Sequence, residues 1–203
     1  MLKQYRHLVI RGFAGEPTES EVETIEQKLG ASLPTDFVEF LSVANGGYTE
    51  FSVNVPPPEG EPIGLQRLYS TKPNNKGEYT HETFLGEIEL ARQNPVIPQE
   101  ILPFADDGGG SVFYLDLTPE GQGRVVVLRH GLPGWTGRPS EDTFIQVADG
   151  FVQFIDSLSI EADYAEIILE DAIATGDEKE IAAVKAILDS GLPDWQEKLG
   201  MDV

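Results

Sequence analysis

The sequence predicts an α+β fold: a mixed, mostly antiparallel central sheet flanked by helices, with an appended C-terminal helical hairpin. Three observations support this prediction. Residues 16–47 have the pattern of two short helices, the middle of the chain is a series of short apolar strands, and the residues after Leu158 are rich in helix formers. Helices and strands that occur in separate runs are typical of α+β proteins.

The first predicted helix has one apolar face, formed by Val22, Ile25 and Leu29. It ends at Gly30, a residue that accepts the left-handed conformation of a helix C-terminus. Thr18 or Ser20 can cap its start, and Ser20 with Glu23 has the spacing of a capping box.

The second predicted helix begins with Pro34 in its first turn, where the missing proline N–H would have had no partner anyway. It has an apolar stripe at helical spacing, formed by Phe37, Phe40, Leu41 and Ala44. The sequence Asn45-Gly46-Gly47 is expected to end the helix in a left-handed cap.

The strands come next, separated by loops rich in proline, glycine and asparagine. A leading strand is predicted at 5–13, a proline-rich loop at 52–61, and a helix at 80–94 with Phe84, Leu85, Ile88 and Ala91 on one side. The other predicted strands are 63–69, 101–105, 112–117, 124–129 and 145–148. The turn at 118–121 predicts a hairpin of the strands that flank it.

The C-terminal hairpin is predicted from two helical patterns joined at Gly176-Asp177. The apolar faces are Tyr164, Ile167, Ile168 and Ala172 in one helix and Ile181, Val184, Ile187 and Leu188 in the other. Residues 160–190 carry nine acidic and two basic side chains. Such a charged face is either simply solvated or a docking surface. We expect residues 1–159 to form the α+β domain and residues 160–203 an acidic helical extension packed on it.

Three sequence landmarks resemble the SUKH superfamily, which unites yeast cell-wall regulators of the Smi/Knr type with many bacterial immunity proteins. The first is the segment 25–47, IEQKLGASLPTDFVEFLSVANGG. The second is the turn LPFADDGGG at 102–110, and the third is VADGFVQFIDSL at 147–158, a short helix led by Asp149. The resemblance implies a SUKH-like fold and a protein that acts by binding another protein.

Composition limits the class of protein. The chain has 203 residues, 40% of them hydrophobic, and no cysteine, so disulfides and thiolate metal sites are excluded. No apolar run approaches the roughly 20 residues of a membrane helix, and the N-terminus lacks the pattern of a secretion signal. We therefore expect a cytoplasmic location.

The formal net charge of −21 is the second indication of function. It disfavours nucleic acid and anionic membrane surfaces as partners, because both need cationic contacts. It would attract a basic protein and accelerate their association. The alternative is that the acidity only keeps the protein in solution.

The sequence contains no complete catalytic or cofactor-binding motif. His81-Glu82 begins like a zinc-protease motif, but Leu85 stands where the second histidine is required. The glycines at 108–110 follow two aspartates, which would repel phosphate. We predict no enzyme, no cofactor and no metal. Asp106, Asp107 and Asp116 could hold a hard cation, or Asp106 and Asp107 could accept hydrogen bonds from the amides of their own turn.

The expected function is that of a bacterial immunity protein, which neutralises a polymorphic toxin domain, such as a nuclease, by covering its active surface. The alternative is a non-enzymatic regulatory or scaffold module of the Smi/Knr type. Trp135 lies in a loop rich in glycine and proline, where it is either an exposed anchor or a lid over the sheet. The candidate residues for partner binding are Tyr48, Glu50, Asp106, Asp107, Trp135, Glu141 and Asp142.

Overall fold

A sheet of eight strands in chain order organises the molecule. The computed structural model describes residues 2–57, 60–73, 82–129, 135, 137 and 142–200. In these residues each strand pairs with the next one along the chain, and all seven pairings are antiparallel. The strands are β1 Leu2–Tyr5, β2 Leu8–Arg11, β3 Gly47–Val53, β4 Ile63–Leu68, β5 Ile101–Asp106, β6 Val112–Asp116, β7 Arg124–Arg129 and β8 Thr143–Ala148.

Helices occupy the connections and the C-terminus. They are α1 Glu19–Leu29, α2 Thr35–Val43, α3 Phe84–Ala91, α4 Phe151–Ser157, α5 Ala162–Thr175, α6 Glu178–Gly191 and α7 Trp195–Lys198. The predicted α+β class is therefore confirmed, as are the hairpin of β6 with β7 and the two antiparallel helices after residue 160. The division into two domains at residue 160 stays a prediction.

The centre of the core is a cluster of phenylalanine rings around Phe37 of α2. Its ring centroid lies 4.9 Å from Phe151 of α4, 5.9 Å from Phe104 of β5 and 6.2 Å from Phe84 of α3. Each of these three contacts is edge-to-face, the arrangement that aromatic quadrupoles favour. Phe37 is fully buried. One side chain thus joins three helices to the sheet.

The sheet separates two apolar clusters, because successive side chains of a strand point to opposite faces. On β6 and β7 the main core takes Phe113, Leu115, Val125 and Val127. The residues between them face the other way and form a smaller cluster with Ile101, namely Tyr114, Val126 and Leu128. We call these the inner and outer faces. Ala91 of α3 and Ile97 after it cover part of the outer face.

The helix ends differ in detail from the sequence prediction. The capping box of α1 is formed by Thr18 and Glu21, whose carboxylate accepts the Thr18 amide at 2.8 Å, so the predicted Ser20–Glu23 box is wrong. Pro34 precedes α2 instead of lying inside its first turn. The helix ends at Val43 with Ala44 in a non-left-handed conformation, and the positive φ of Gly46 and Gly47 serves the entry into β3 instead.

The N-terminal segment is a hairpin and not the single strand predicted for 5–13. Arg6 has a φ of 54°, which turns the chain between β1 and β2. Its guanidinium binds Asp156, just before the end of α4, at 2.6 Å. The strand β3 and the short helix α7 were not predicted at all. Trp195 of α7 is buried and its indole N–H donates to Asp189 at 2.7 Å.

The C-terminal helices pack on β2 and β3. A Cβ on Gly191 would stand 2.5 Å from Ile160 and 2.8 Å from the Phe51 ring, so only glycine allows this approach. The buried side of α5 consists of Ala165, Leu169 and Ala172. Ile167, predicted to lie on that side, is 54% exposed instead.

We predict that Phe37→Ala lowers the free energy of unfolding by about 3–5 kcal/mol, because it removes a whole ring from a closely packed core. Chemical denaturation at pH 7 measures this loss. The half-buried Val38→Ala in the same helix is the control, and about 1 kcal/mol is expected there. A Phe37→Ala variant as stable as the control would contradict the central position of this ring.

Candidate functional site

The chain-order topology gathers four connections at one end of the sheet. Because neighbouring strands are antiparallel, the β1–β2, β3–β4, β5–β6 and β7–β8 connections all leave the same end. We call the three longer connections the loop end; they comprise residues 54–62, 107–111 and 130–142, as far as the structure describes them. Exposed loops on a rigid sheet are a common location for binding residues.

Three of the seven candidate residues, Asp107, Trp135 and Asp142, lie on loop-end connections in the described part of the chain. Trp135 is 87% exposed, so it does not pack on the sheet as a lid, and its role as an interface anchor stays a prediction. Asp142 is exposed as well, while Glu141 lies outside the described residues. Asp107 accepts the amides of Gly109 and Ser111 at 2.7 and 2.8 Å. The Asp107 carboxylate therefore stabilises its own turn.

Asp106 is buried and serves the interior. Its carboxylate accepts from the Arg67 guanidinium at 2.8 Å and from the Gly108 amide at 2.7 Å, and its side chain is 6% exposed. Burial, and then the nearby Asp106 charge, raises the pKa of Tyr69. An aspartate with this many internal partners has little carboxylate surface left to offer to another protein.

Asp116 is separated from the other two aspartates by the length of β6. It accepts from Arg124 and from the Thr118 hydroxyl, the latter at 2.6 Å. Gly121 packs so closely against this carboxylate that any side chain there would collide with it. The three aspartates therefore do not converge, and no metal-sized group of three His, Asp or Glu side chains occurs in the described residues.

Tyr48 and Glu50 lie on β3, away from the loop end. Tyr48 is half-buried and pairs in register with Arg11 on one side and Arg67 on the other. Glu50 accepts a hydrogen bond of 2.6 Å from the Tyr164 hydroxyl of α5. Burial, followed by this contact with Glu50, raises the pKa of Tyr164. Both candidates therefore take part in contacts within the protein: Tyr48 in the strand pairings of β3, and Glu50 in the contact between β3 and α5.

A surface that the residue predictions did not include lies on α5. At about 100° per residue, Asp163, Glu166 and Glu170 fall close to one line, and Ile167 and Ile173 lie about 60° to either side of Glu170. The two isoleucines are 54% and 52% exposed. We call these five residues the acidic face. Helical spacing of the charged residues, applied residue by residue, could have found it.

The acidic face is electrostatically unbalanced. Within the described part of the chain, no ion pair involves any of its three carboxylates. Meanwhile the ion pairs between described residues engage seven of the chain's fourteen lysine and arginine side chains. Arg11, for example, lies between the sheet and α6 and binds Glu180. Much of the positive charge is therefore neutralised by ion pairs within the protein, and the excess of negative charge remains on the surface.

Comparison with known proteins gives one family match and one relative. The family model described as SMI1 / KNR4 family (SUKH-1) matches residues 16–157. The SPbeta prophage-derived uncharacterized protein YokK of Bacillus subtilis (strain 168) is 26% identical over 159 residues, covering 72% of this chain and 78% of the relative. No solved structure matches the chain significantly. Among the described residues, no helix is long and apolar enough to span a membrane.

We predict that Asp106→Ala lowers the free energy of unfolding by about 3 kcal/mol, because it leaves Arg67 and the Gly108 amide without their buried acceptor. Asp107→Ala, the neighbouring control, removes only turn hydrogen bonds and should cost about 1 kcal/mol. Urea denaturation at pH 7 separates the two. Equal stability of the two variants would mean that Asp106 is not structural.

The half-buried Glu87 of α3 provides a test by pH. Burial, then repulsion by Glu82 and Asp106, raises its pKa in the folded protein above the ordinary value. The folded state therefore binds this proton more tightly than the unfolded state, and the stability that protonation gives is lost as pH rises through the folded pKa. We expect Glu87→Gln to be more stable than wild type at pH 7.

This advantage of Glu87→Gln should shrink as the pH falls toward 4, because the wild-type carboxyl then becomes neutral too. Melting temperatures of both proteins across this pH range measure the effect. Glu23→Gln, at an exposed position of α1, is the control and should show no such trend. A Glu87→Gln advantage that grows on acidification would contradict the sign of the shift.

Proposed function

Because the chain belongs to the SMI1 / KNR4 family (SUKH-1), we propose that it is an immunity protein that binds a toxin domain and covers its active surface. The target is a basic domain of a polymorphic toxin, and a nuclease is the class that the charge favours. The protein performs no reaction and acts in the cytoplasm as one half of a toxin–antitoxin pair. Fold alone does not determine function, so the surface must support the proposal.

The uncompensated acidic face carries the proposal. Exposed carboxylates that have no ion-pair partner among the described residues repel one another, and a basic partner relieves that repulsion. The toxin's nucleic-acid site, if it is a nuclease, supplies such a partner, because it must be lined with lysine and arginine to hold phosphates. Carboxylates then take the place of the phosphates.

Charge sets the rate of association, while apolar contacts supply most of the affinity. Electrostatic steering raises association rates by about 10- to 1,000-fold at low salt. Binding energy in protein interfaces comes mainly from a few buried aromatic and aliphatic anchors. Ile167 and Ile173 on the acidic face and Trp135 at the loop end are exposed apolar groups of this kind. Tyr48, Glu50, Asp107, Glu141 and Asp142 remain part of the proposal as candidate contacts.

The second candidate is a regulatory or scaffold module of the Smi/Knr type. One observation favours it: the family match ends at residue 157, before α5 and its acidic face begin. The shared part of the fold therefore offers the loop end but not the acidic face. Such a module would bind its partner through the loops, with weak dependence on salt.

The deciding experiment uses the C-terminal domain of the protein encoded next to this chain. Cells that express the domain alone should die, and cells that express both proteins should survive. Titration calorimetry of the purified pair should give 1:1 binding that weakens as salt is raised from 50 to about 500 mM. Absence of rescue together with absence of binding would refute the immunity function, and binding without salt dependence would favour the second candidate.

We predict that reversing two charges on the acidic face, Glu166→Lys with Glu170→Lys, slows association with this domain about tenfold or more at 50 mM salt. Stopped-flow fluorescence measures the rate. The control is Glu23→Lys with Glu39→Lys, at exposed positions of α1 and α2, which changes the net charge equally. If both double variants slow association to the same extent, only the overall charge matters, and the acidic face has no special part.

A further inference from the structure

The outer face of the sheet is only partly covered. Ala91 and Ile97 pack on it next to β5, so Ile101, Tyr114, Val126 and Leu128 are buried. On the side of β8, no described element packs on this face. Phe144, which pairs in register with Leu128, is 36% exposed. Its ring lies 6.0 Å from Tyr114 in an edge-to-face contact.

An apolar groove lies between this uncovered strand and the segment that follows α3. Its volume is about 350 Å³. Ile101 and Val126 form the floor, Val96 and Pro98 form one wall, and Phe144 forms the other. Val96 is 71% exposed, an unusual position for a branched aliphatic side chain next to an exposed phenylalanine. The groove can take one large side chain and the backbone beside it.

The polar end of the groove is negative. Asp116, Thr118, Glu120 and Arg124 line it. Asp116 and Arg124 neutralise each other in an ion pair of 2.7 Å. Glu120 is exposed and, in the described residues, takes part in no ion pair. The unneutralised charge at the mouth is therefore a carboxylate.

From this geometry we infer that the groove is an anchoring pocket for a protein partner, which inserts one aliphatic or aromatic side chain flanked by lysine or arginine. The floor and walls bury the apolar group, and Glu120 binds the cation beside it. A second copy of this chain is a poor occupant, because two molecules of net charge −21 repel each other. The inference rests on the proposed function and adds a surface to it.

A pocket of this kind complements the acidic face. Carboxylates on an exposed helix attract a basic protein over a distance but fix its position weakly, since surface ion pairs are worth little each. Burial of one large apolar side chain in a desolvated pocket supplies affinity and fixes the register. Val96, Phe144 and Glu120 thus determine which basic protein stays bound, and the acidic face determines how quickly it arrives.

The test uses the toxin domain defined above as the probe and three variants of this protein. Val96→Ser, alone and together with Phe144→Ser, removes the walls, and the Kd for the domain should rise at least about tenfold. Val96 lies outside the helices and strands and is mostly exposed, so its single variant should fold normally. The matched control is Leu90→Ser, which removes an apolar side chain of α3 that is 57% exposed and does not line the groove.

A fourth variant tests the cation. Glu120→Lys should weaken binding more than Glu23→Lys, which changes the net charge equally at a distant site. Unchanged affinity of the Val96 and Phe144 variants, with wild type still binding, would overturn the pocket and leave the immunity function standing. Failure of wild type to bind would overturn both. A wild type that sediments as a dimer, and becomes monomeric in the double serine variant, would identify a second copy as the occupant and also overturn the inference.

Discussion

The contact of Phe37 with Phe84, Phe104 and Phe151 is the interaction on which the rest of the fold depends. These rings belong to α2, α3, β5 and α4, which are far apart in the chain and meet only in the core. Edge-to-face packing constrains ring orientation as well as distance, so it fixes how each helix lies on the sheet. Because the strands of the sheet follow one another in chain order, this ring packing is enough to set the positions of the helices on it.

Most of the helices pack on the inner face of the sheet. The outer face is therefore only partly covered. The C-terminal helices protect β2 and β3, and α3 with the segment after it protects β5 and β6. In the described residues, neither the C-terminal helices nor α3 with its following segment covers the outer side of β8. The partly exposed Phe144 and the groove beside it follow from this distribution of helices, and not from an unusual local sequence.

The same architecture determines where charge is available. Buried carboxylates such as Asp106 and Asp116 hold arginines at the ends of strands, which neutralises part of a small cationic content. The carboxylates of α5 have no such partner in the described chain, since the opposite side of that helix is occupied by apolar packing. This surface therefore combines two exposed isoleucines with carboxylates that form no ion pair in the described residues, and these are the features on which the proposed basic partner rests.

The sequence by itself determined the class of fold, most element positions and the family, because helix periodicity, the turn glycines and the apolar strands are local signals. It also determined the negative net charge, which disfavours contacts with nucleic-acid phosphates. It could not locate the site. Whether Asp106 faces a partner or Arg67, whether Glu50 is free or bound to Tyr164, and whether Ile167 is buried depend on contacts between residues distant in the chain. Only tertiary packing decides these, because two neighbouring aspartates with the same local sequence differ solely in what the rest of the fold brings against them.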